Sequence, residues 1–588
     1  MAGPVELALQ RLLADALRND AALQIDPAQV LVQLASPSAP AEFKVDARPL
    51  LGDLAHGRDA LATLTERWRR LPSVRHVVAV PPALYISPSL QLLHLATTHA
   101  IATSGTDYGS HDRELGRTSV VSFSSPNINK PLHVGHLRNN FLGMSLARLL
   151  RAQGCAVRKD DNQSNWGVHI CQAVLAYQLW GDGRTPASAR VKGDHLVGEL
   201  YVRFHEENAR LRGTDERTTP LDHRAQELLR RMEAGDQELI DLNQLVTGWA
   251  RAGITETYRR IATEMDFVVQ ERDTLEVARS VVARGLQRGL CLRRDDGSVY
   301  VDLRNTGNDP VTLIRQDGTP VVYFQHMGSR VHRYDQLDFD RVLMVMGLEW
   351  RSGNKMVEGA LMKLGYDWAS RIEPVHYGMV VLPEGKMRSR SGTGVQADAV
   401  LDRFSSALAR GWTSPDTPAD AKHRACERLA VALLKLYFLG HPRHEQVSYD
   451  EPGIWRTTLP RLNDALAVLR HTTPSPVPFQ ETELAADDDH ARRLLLRLNA
   501  FPRAVHVAYE RREPAHLVRE LHDLVGLWHR WQRIRPVPPS VTEATATVMR
   551  AGLALLNVEL PDDLGGLPPR LATDPGPAAN DRGAERPR

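Results

Sequence analysis

The chain has 588 residues, and 73 Lys and Arg against 71 Asp and Glu leave a formal net charge of +2. A chain of this length can form three or four domains with a sizeable core. The near-neutral charge neither requires nor excludes a nucleic-acid partner, since binding would depend on a local basic face.

The four cysteines, Cys155, Cys171, Cys291 and Cys426, are far apart and form no CxxC pair. This spacing favours a reducing compartment and disfavours a structural zinc site. No apolar run approaches the roughly 18 residues of a membrane span, and no signal-peptide pattern occurs at the N-terminus. We therefore expect a cytoplasmic protein without a membrane partner and predict no protein metal site.

Residues 1–115 mix helical and extended patterns. Apolar residues between Val5 and Leu17 recur at helical spacing, whereas Val30–Leu34 and His76–Val80 are extended apolar runs. Such mixing predicts a small N-terminal α+β domain.

A thirteen-residue stretch, 124–136, reads SSPNINKPLHVGH and lies between two contrasting patterns. The β-branched run Ser119–Phe123 before it predicts a strand. The apolar spacing of Leu137–Leu150 after it predicts a helix that ends near Gly154. The stretch therefore connects a strand to a helix N-terminus, where unpaired N–H groups and partial positive charge suit a polyphosphate.

Two histidines, His133 and His136, lie three residues apart at this helix start and share one face. Gly135 between them leaves room for a flat ring against the backbone. A pair of surface histidines near a turn is the plain alternative, but the whole thirteen-residue run is unlikely to arise by chance.

With SSPN and KP before it and LR after it, the HVGH sequence resembles the ATP-binding HIGH motif of class I aminoacyl-tRNA synthetases, specifically the arginyl-tRNA synthetases. The resemblance implies that His133 and His136 hold the ATP phosphates while an amino-acid carboxylate attacks the α-phosphate. Catalysis would then come from positioning and charge stabilisation. It also implies ATP contacts from Ser125, Asn127 and Gly135, with Mg²⁺ bound mainly by the nucleotide.

Residues 116–400 resemble the family's α/β catalytic domain, a Rossmann-like parallel sheet, with a charged helical insertion over 181–305. We assign no catalytic residue to the insertion. The patterns predict strands at Cys155–Lys159, Val342–Met346 and Tyr377–Leu382, and helices at Arg224–Glu233, Leu275–Gly289 and Val357–Leu364.

A basic segment over 384–393, EGKMRSRSGT, resembles the family's mobile KMSKS loop, whose cations clamp the triphosphate. The resemblance implies a catalytic role for Lys386, while Ser389 stands at the second lysine position. In many arginyl enzymes the lysine just before HIGH is thought to substitute, which makes Lys130 a further catalytic candidate. The remaining ATP contacts implied are Gly378, Met379, Met387, Arg388 and Ser389.

Residues 401–571 are helical in pattern throughout. Apolar spacing of three and four predicts helices at Arg424–Leu439, Ala491–Leu498, Leu517–Trp531 and Thr545–Leu556. Their order resembles the all-helical anticodon-binding domain of the family, which implies tRNA as a partner. The tail over 572–588 is rich in Pro, Gly, Ala and charge, and is predicted to be disordered.

The amino-acid pocket implied by the resemblance differs at three positions. Arginyl enzymes pair the substrate guanidinium with carboxylates, because an unpaired buried charge is strongly destabilising. Where the family has an acid, a second acid and a glutamine, this chain has Ser122, Met327 and Trp350. Glu349, next to Trp350, could substitute for the glutamine only with a shift in register. Asn127 and Tyr323 keep the family residues. Three changes together disfavour arginine and favour a different amino acid, or none.

Three functions remain open. The first is ATP-dependent activation and transfer of an amino acid to tRNA by a divergent arginine--tRNA ligase-like enzyme. The second is a tRNA-independent ligase that passes the same adenylate to a small-molecule amine. The third is a non-catalytic regulatory paralogue. The sequence determines neither the amino acid, the acceptor, nor whether the chain is a monomer or an oligomer.

Overall fold

The computed structural model describes residues 3–18, 29–36, 38–51, 57–212, 218–383, 394–471, 484–485, 488–568 and 570–572. The KMSKS-like segment at 384–393 lies outside these residues, as does the predicted tail from 573 onward. No described helix is both long and apolar enough to cross a bilayer.

The N-terminal elements mix helices with a four-stranded antiparallel sheet of strand order β1-β2-β4-β3. The first helix buries Val5, Leu9 and Leu13, whose four-residue spacing forms one apolar face. The elements are α1 Pro4–Arg18, β1 Val32–Leu34, β2 Phe43–Asp46, α2 Arg48–Leu51, α3 Gly57–Arg69, β3 Val74–Val80, β4 Ala83–Pro88 and α4 Leu90–Ser104.

The central elements alternate strands and helices, as expected for an α/β domain. They are β5 Thr118–Ser122, α5 Val134–Arg151, β6 Ala156–Gln163, α6 Val168–Trp180, α7 Pro186–Ala189, α8 Gly193–Leu211, α9 Pro220–Glu233, α10 Gln237–Arg260, β7 Phe267–Gln270, α11 Leu275–Gln287, β8 Leu292–Arg293, β9 Val299–Val301, β10 Val311–Ile314, α12 Val322–Gln336, β11 Arg341–Gly347, α13 Arg351–Lys363, β12 Ile372–Tyr377 and β13 Val380–Val381.

Five of these strands form one parallel sheet of order β12-β11-β5-β6-β7. Strand β5 occupies the middle and buries Val120 and Val121. In such a sheet the carboxyl ends of all strands meet at one edge, where ligands bind. The loop that contains HVGH leaves β5 at this edge.

The structure differs from two predicted strands. Strand β6 continues four residues beyond Lys159, through two aspartates, because their carboxylates find buried hydrogen-bond partners. The single strand expected over Tyr377–Leu382 is wrong. Strand β12 ends at Tyr377, since the amide of Gly378 donates to Arg443 O instead, at 2.7 Å, and β13 pairs with β14.

The remaining elements are helical apart from one short strand. They are α14 Ala397–Arg410, α15 Ala419–Gly440, β14 Val447–Ser448, α16 Glu451–Arg470, α17 Asp489–Glu510, α18 Ala515–Gln532 and α19 Pro539–Leu555. The fold class predicted from the sequence is confirmed: a parallel α/β sheet with a helical C-terminal region.

Contacts group the chain into two compact units. One comprises residues 1–110, 460–511 and 516–554, and the other comprises 111–459, 512–515 and 555–588. The domain boundaries predicted at 115, 400 and 571 stay predictions. All residues of the candidate site belong to the second unit.

Candidate active site

A cavity of about 540 Å³ opens at the carboxyl edge of the parallel sheet. Its walls come from the ends of β5, β6, β11 and β12, the start of α5, and one face of α12. Eight sequence-predicted site residues line it: Ser122, Ser125, Asn127, His133, Gly135, His136, Trp350 and Met379. The fold thus brings the two predicted ends of the site, one for nucleotide and one for amino acid, into a single cavity.

Other predicted residues lie elsewhere. Gly378, Tyr323 and Met327 are not among the residues lining this cavity, and Met327 is fully buried. Lys130 lines a neighbouring cavity together with His133. The four loop residues Lys386, Met387, Arg388 and Ser389 lie outside the described part of the chain.

The two histidines cap α5 reciprocally. The amide of Gly135 donates to His133 Nδ1, and the amide of His133 donates to His136 Nδ1, both at 3.1 Å. An Nδ1 that accepts a hydrogen bond leaves the ring proton on Nε2. The ring centroids lie 4.0 Å apart. Each imidazole therefore offers an Nε2–H donor at the start of α5, where the amides of Val134 and Gly135 are already hydrogen-bonded.

Burial keeps both imidazoles neutral. Desolvation, with a smaller effect from Lys130, lowers the pKa of His133 to about 4. Desolvation also lowers the pKa of His136 well below its usual range, helped by His133 and Lys130. At neutral pH the two rings are therefore uncharged N–H donors. They can bind a phosphate group through hydrogen bonds without an ion pair.

The turn between β5 and α5 has a strained backbone. Ser124 and Ser125 have φ angles of 67° and 49°, a left-handed region that non-glycine residues rarely occupy. The amide of Ser125 donates to Asp161 Oδ1 at 2.9 Å. Tyr258, from the insertion, places its hydroxyl 2.7 Å from Ser124 Oγ and 2.9 Å from Asp161 Oδ2. These contacts hold the turn in the conformation that lines the cavity.

Helix α5 also supports the far wall through Arg138 and Asn139. The buried guanidinium of Arg138 donates from Nη1 to the carbonyls of Gly378 and Glu445, at 2.6 and 2.7 Å. Asn139 Nδ2 donates to the Tyr377 hydroxyl at 3.2 Å. Gly378 thus supports the cavity wall through its backbone carbonyl. Its amide donates to Arg443 O, which is why strand β12 ends before it.

The other end of the cavity is lined by two arginines and a neutral histidine of α12. His326, Arg330 and Arg333 follow one another at intervals of four and three, so they share one helix face, and all three line the cavity. Arg333 Nε donates to Asp160 Oδ2 at 2.8 Å, and both side chains are buried. The His326 ring meets Trp350 edge-on, with centroids 4.7 Å apart.

These α12 residues, and the buried Glu271 at the end of β7, were not predicted as site residues. The spacing of residues 326, 330 and 333 predicts that they share one helix face. The same spacing is typical of a helix face that is exposed to solvent. Met327 stands one position away from His326 and therefore points into the core.

Comparison with known proteins identifies the family. Residues 97–450, more than half of the chain, match the family model "tRNA synthetases class I (R), catalytic domain", and residues 465–564 match "DALR anticodon binding domain". An arginine--tRNA ligase of Porphyromonas gingivalis is 31% identical over 522 residues, which cover 82% of this chain and 85% of the relative. One from Treponema pallidum is 36% identical over 397 residues, covering 67% and 66%. This chain belongs to the class I arginyl-type tRNA synthetases.

Solved structures agree on the fold of this synthetase. Thermus thermophilus arginyl-tRNA synthetase matches with a TM-score of 0.70 and 21% identity, over 95% of this chain and 99% of its own. The Plasmodium falciparum arginyl-tRNA synthetase matches with a TM-score of 0.65 and 13% identity, over 97% and 99%. The family and enzyme class predicted from the sequence are confirmed: the chain is an aminoacyl-tRNA ligase-family enzyme, and class I synthetases use ATP as a substrate.

Both anchors of the KMSKS-like segment lie at the cavity of the synthetase. Val381, before the segment, and Gly394, after it, line the cavity. Beyond Gly394, the chain pairs with the HVGH loop: the amide of Val134 donates to Val395 O at 3.1 Å, and that of Ala397 donates to Leu132 O at 2.8 Å. The residues that directly follow the KMSKS-like segment are thus joined to the HVGH loop by backbone hydrogen bonds.

Among the described residues of the synthetase, one group has the spacing of a metal site: Asp194, His195 and Asp398. Lys192 Nζ lies 2.7 Å from Asp398, and Arg260 Nη1 lies 3.0 Å from it. Burial opposes ionisation of Asp398, yet His195 and these cations lower its pKa well below the usual range. Because two cations already neutralise the acids, the group is an ion-pair cluster that links the insertion to α14.

Proposed function

We propose that this synthetase activates an amino acid with ATP and transfers the aminoacyl group to tRNA. The reciprocal histidine cap at the start of α5 carries the proposal, because it leaves two neutral Nε2–H donors at one cavity, beside the positive end of the helix. The match of residues 465–564 to an anticodon-binding domain supports tRNA as the acceptor. A cytoplasmic location stays a prediction.

In the first step, a carboxylate oxygen of the amino acid attacks the α-phosphorus of ATP. The bond from that phosphorus to the bridging oxygen breaks, and pyrophosphate leaves with its electron pair. His133 and His136 donate hydrogen bonds to phosphate oxygens as charge develops, and Lys130 adds positive charge beside them. Ser125, Asn127 and Met379 complete the nucleotide wall.

Mg²⁺ would enter with ATP and be held chiefly by its phosphates, since the histidine cap offers donors and no carboxylate. In the second step, a tRNA hydroxyl attacks the acyl carbon, the bond from that carbon to the phosphate oxygen breaks, and AMP leaves. Lys386 and Arg388 are proposed to neutralise the leaving pyrophosphate in the first step, as the family resemblance implies.

Amino-acid-dependent ATP–pyrophosphate exchange by the full chain tests the proposal, with and without total tRNA. We expect exchange with at least one amino acid, followed by acid-precipitable charging of tRNA with the same amino acid. Absence of exchange with every amino acid in both conditions would contradict it. Exchange without charging would instead support the tRNA-independent ligase that acylates a small-molecule amine.

A further inference from the structure

The side-chain end of the cavity contains two buried arginines, Arg330 and Arg333, together with the exposed carboxylate of Glu349. Arg330 is only 4% exposed, and it lines the cavity from the inward face of α12. Its Nη2 donates to Asn354 Oδ1, but its Nη1 is buried and has no hydrogen-bond partner among the described residues. A buried guanidinium N–H without an acceptor is strongly destabilising.

The neighbouring charges do not satisfy this group. The carboxylate of Asp160 is already bonded to Arg333 Nε, at 2.8 Å. Glu358 is connected to Arg330 only through Asn354, whose Nδ2 donates to Glu358 Oε1 at 2.7 Å. Burial lowers the pKa of Arg330 to about 10, so the group still carries its charge at neutral pH.

Ser122, at the end of β5, adds no acid to this end of the cavity. Its hydroxyl lies 3.4 Å from Asp160 Oδ2, within the ion pair made by Arg333. His326 is kept neutral, because burial, followed by the charges of Arg330 and Arg333, lowers its pKa to about 3. A substrate guanidinium placed here would meet two buried cations, with the carboxylates of Glu349 and Glu271 elsewhere in the cavity wall.

We propose that the side chain of the amino acid activated by this synthetase ends in an oxygen acceptor, such as a carboxylate, carboxamide or ureido group. This oxygen accepts a hydrogen bond from Arg330 Nη1. This inference rests on the proposed function and names the substrate class of the same site. Hydrogen bonds from arginine to oxygen acceptors are among the strongest in proteins, and such a ligand would satisfy the unpaired Nη1 of Arg330.

The alternative that the structure also offers is a cationic side chain bound by one of two cavity carboxylates, Glu349 or Glu271. Glu271 is buried in the cavity wall and accepts a hydrogen bond from Ser164, and burial raises its pKa to about 7. It follows the edge strand β7, whereas Arg330 contacts β11 and Arg333 contacts β6. Arginine and lysine therefore belong in the test as competing substrates.

Two measurements on the full chain test the proposal. The first is exchange with glutamate, aspartate, glutamine, asparagine and citrulline against arginine, lysine and methionine, with total tRNA present. The second is calorimetric binding of the same amino acids, which requires no catalysis. We expect signals from the oxygen-acceptor group and none from arginine.

Variants of Arg330 then locate the contact. Arg330→Met removes the donor at similar volume and should lower kcat/KM by about tenfold to a hundredfold through KM, the scale of a charged hydrogen bond. Arg330→Lys keeps a cationic donor and should retain part of the activity. Such partial rescue would show that Arg330→Met loses activity through the missing donor and not through misfolding. Arg341→Met is the matched control: Arg341 begins β11, at the opposite end of that strand from the cavity, and should leave the amino-acid KM unchanged.

The outcomes separate the two proposals. Binding and exchange with arginine or lysine in place of the oxygen-acceptor amino acids would overturn the inference and leave the proposed function intact. Glu271→Gln and Glu349→Gln would then identify the carboxylate that binds the cation. Binding of oxygen-acceptor amino acids without any exchange would contradict the proposed function and support the inference. Binding of none of the amino acids would overturn the inference.

Discussion

The two ends of one cavity are built by different means. The proposed nucleotide end consists of two neutral imidazoles at a capped helix start, arranged by a strand, a turn and a helix that are adjacent in sequence. The amino-acid end consists of charged side chains on α12 facing residues of strands far away in the chain. The difference indicates that the phosphate chemistry depends on local backbone geometry, whereas selectivity depends on a few side chains that can change without altering the fold.

The largest expected effect comes from the nucleotide end. His133→Ala or His136→Ala should lower the rate of adenylate formation by about two to three orders of magnitude, the scale of losing a transition-state donor. The rate of exchange at saturating substrate measures it, and the amino-acid affinity from calorimetry should change little. His423→Ala, at an exposed position on α15, serves as the control. Unchanged rates in both variants would remove the phosphate-binding role assigned to this pair.

A smaller effect is expected from the support of the strained turn. Tyr258→Phe removes the hydroxyl between Ser124 and Asp161 and leaves the Asp161 carboxylate with one partner fewer. We expect about a tenfold fall in kcat/KM for ATP, with the amino-acid KM unchanged, and a lower melting temperature. If the amino-acid KM rose instead, the assignment of the two ends of the cavity to different substrates would be wrong.

The smallest effect is a pH dependence that should differ between the ends. The pKa of His133 is lowered to about 4, so the neutral donor persists from pH 6 to 8 and the KM for ATP should stay constant. Glu271, with a pKa raised to about 7, gains negative charge over the same interval. The KM of an anionic amino acid should therefore rise a few-fold above pH 7. In Glu271→Gln this rise should disappear, and a persistent rise would exclude Glu271 as its cause.

The sequence by itself determined the nucleotide end of this protein. A strand, a turn and a helix start lie within one continuous stretch, and the hydrogen bonds that orient His133 and His136 join residues two or three positions apart. Local spacing therefore predicts the elements, and the resemblance of HVGH to the family motif implies the two histidine donors. The same local reasoning correctly predicted most helices, and it failed at Gly378, where the decisive contacts come from Arg138 and Arg443.

Only the tertiary structure decided the amino-acid end. The substitution of acids by Ser122 and Met327 indicated that arginine is disfavoured, but it did not reveal what replaces the lost carboxylates. The ion pair between Asp160 and Arg333 joins residues 173 positions apart, and Arg330 becomes a buried cavity residue only because α12 packs with that face inward. Charged residues at helical spacing normally face water, so their burial depends on long-range packing that no local pattern encodes.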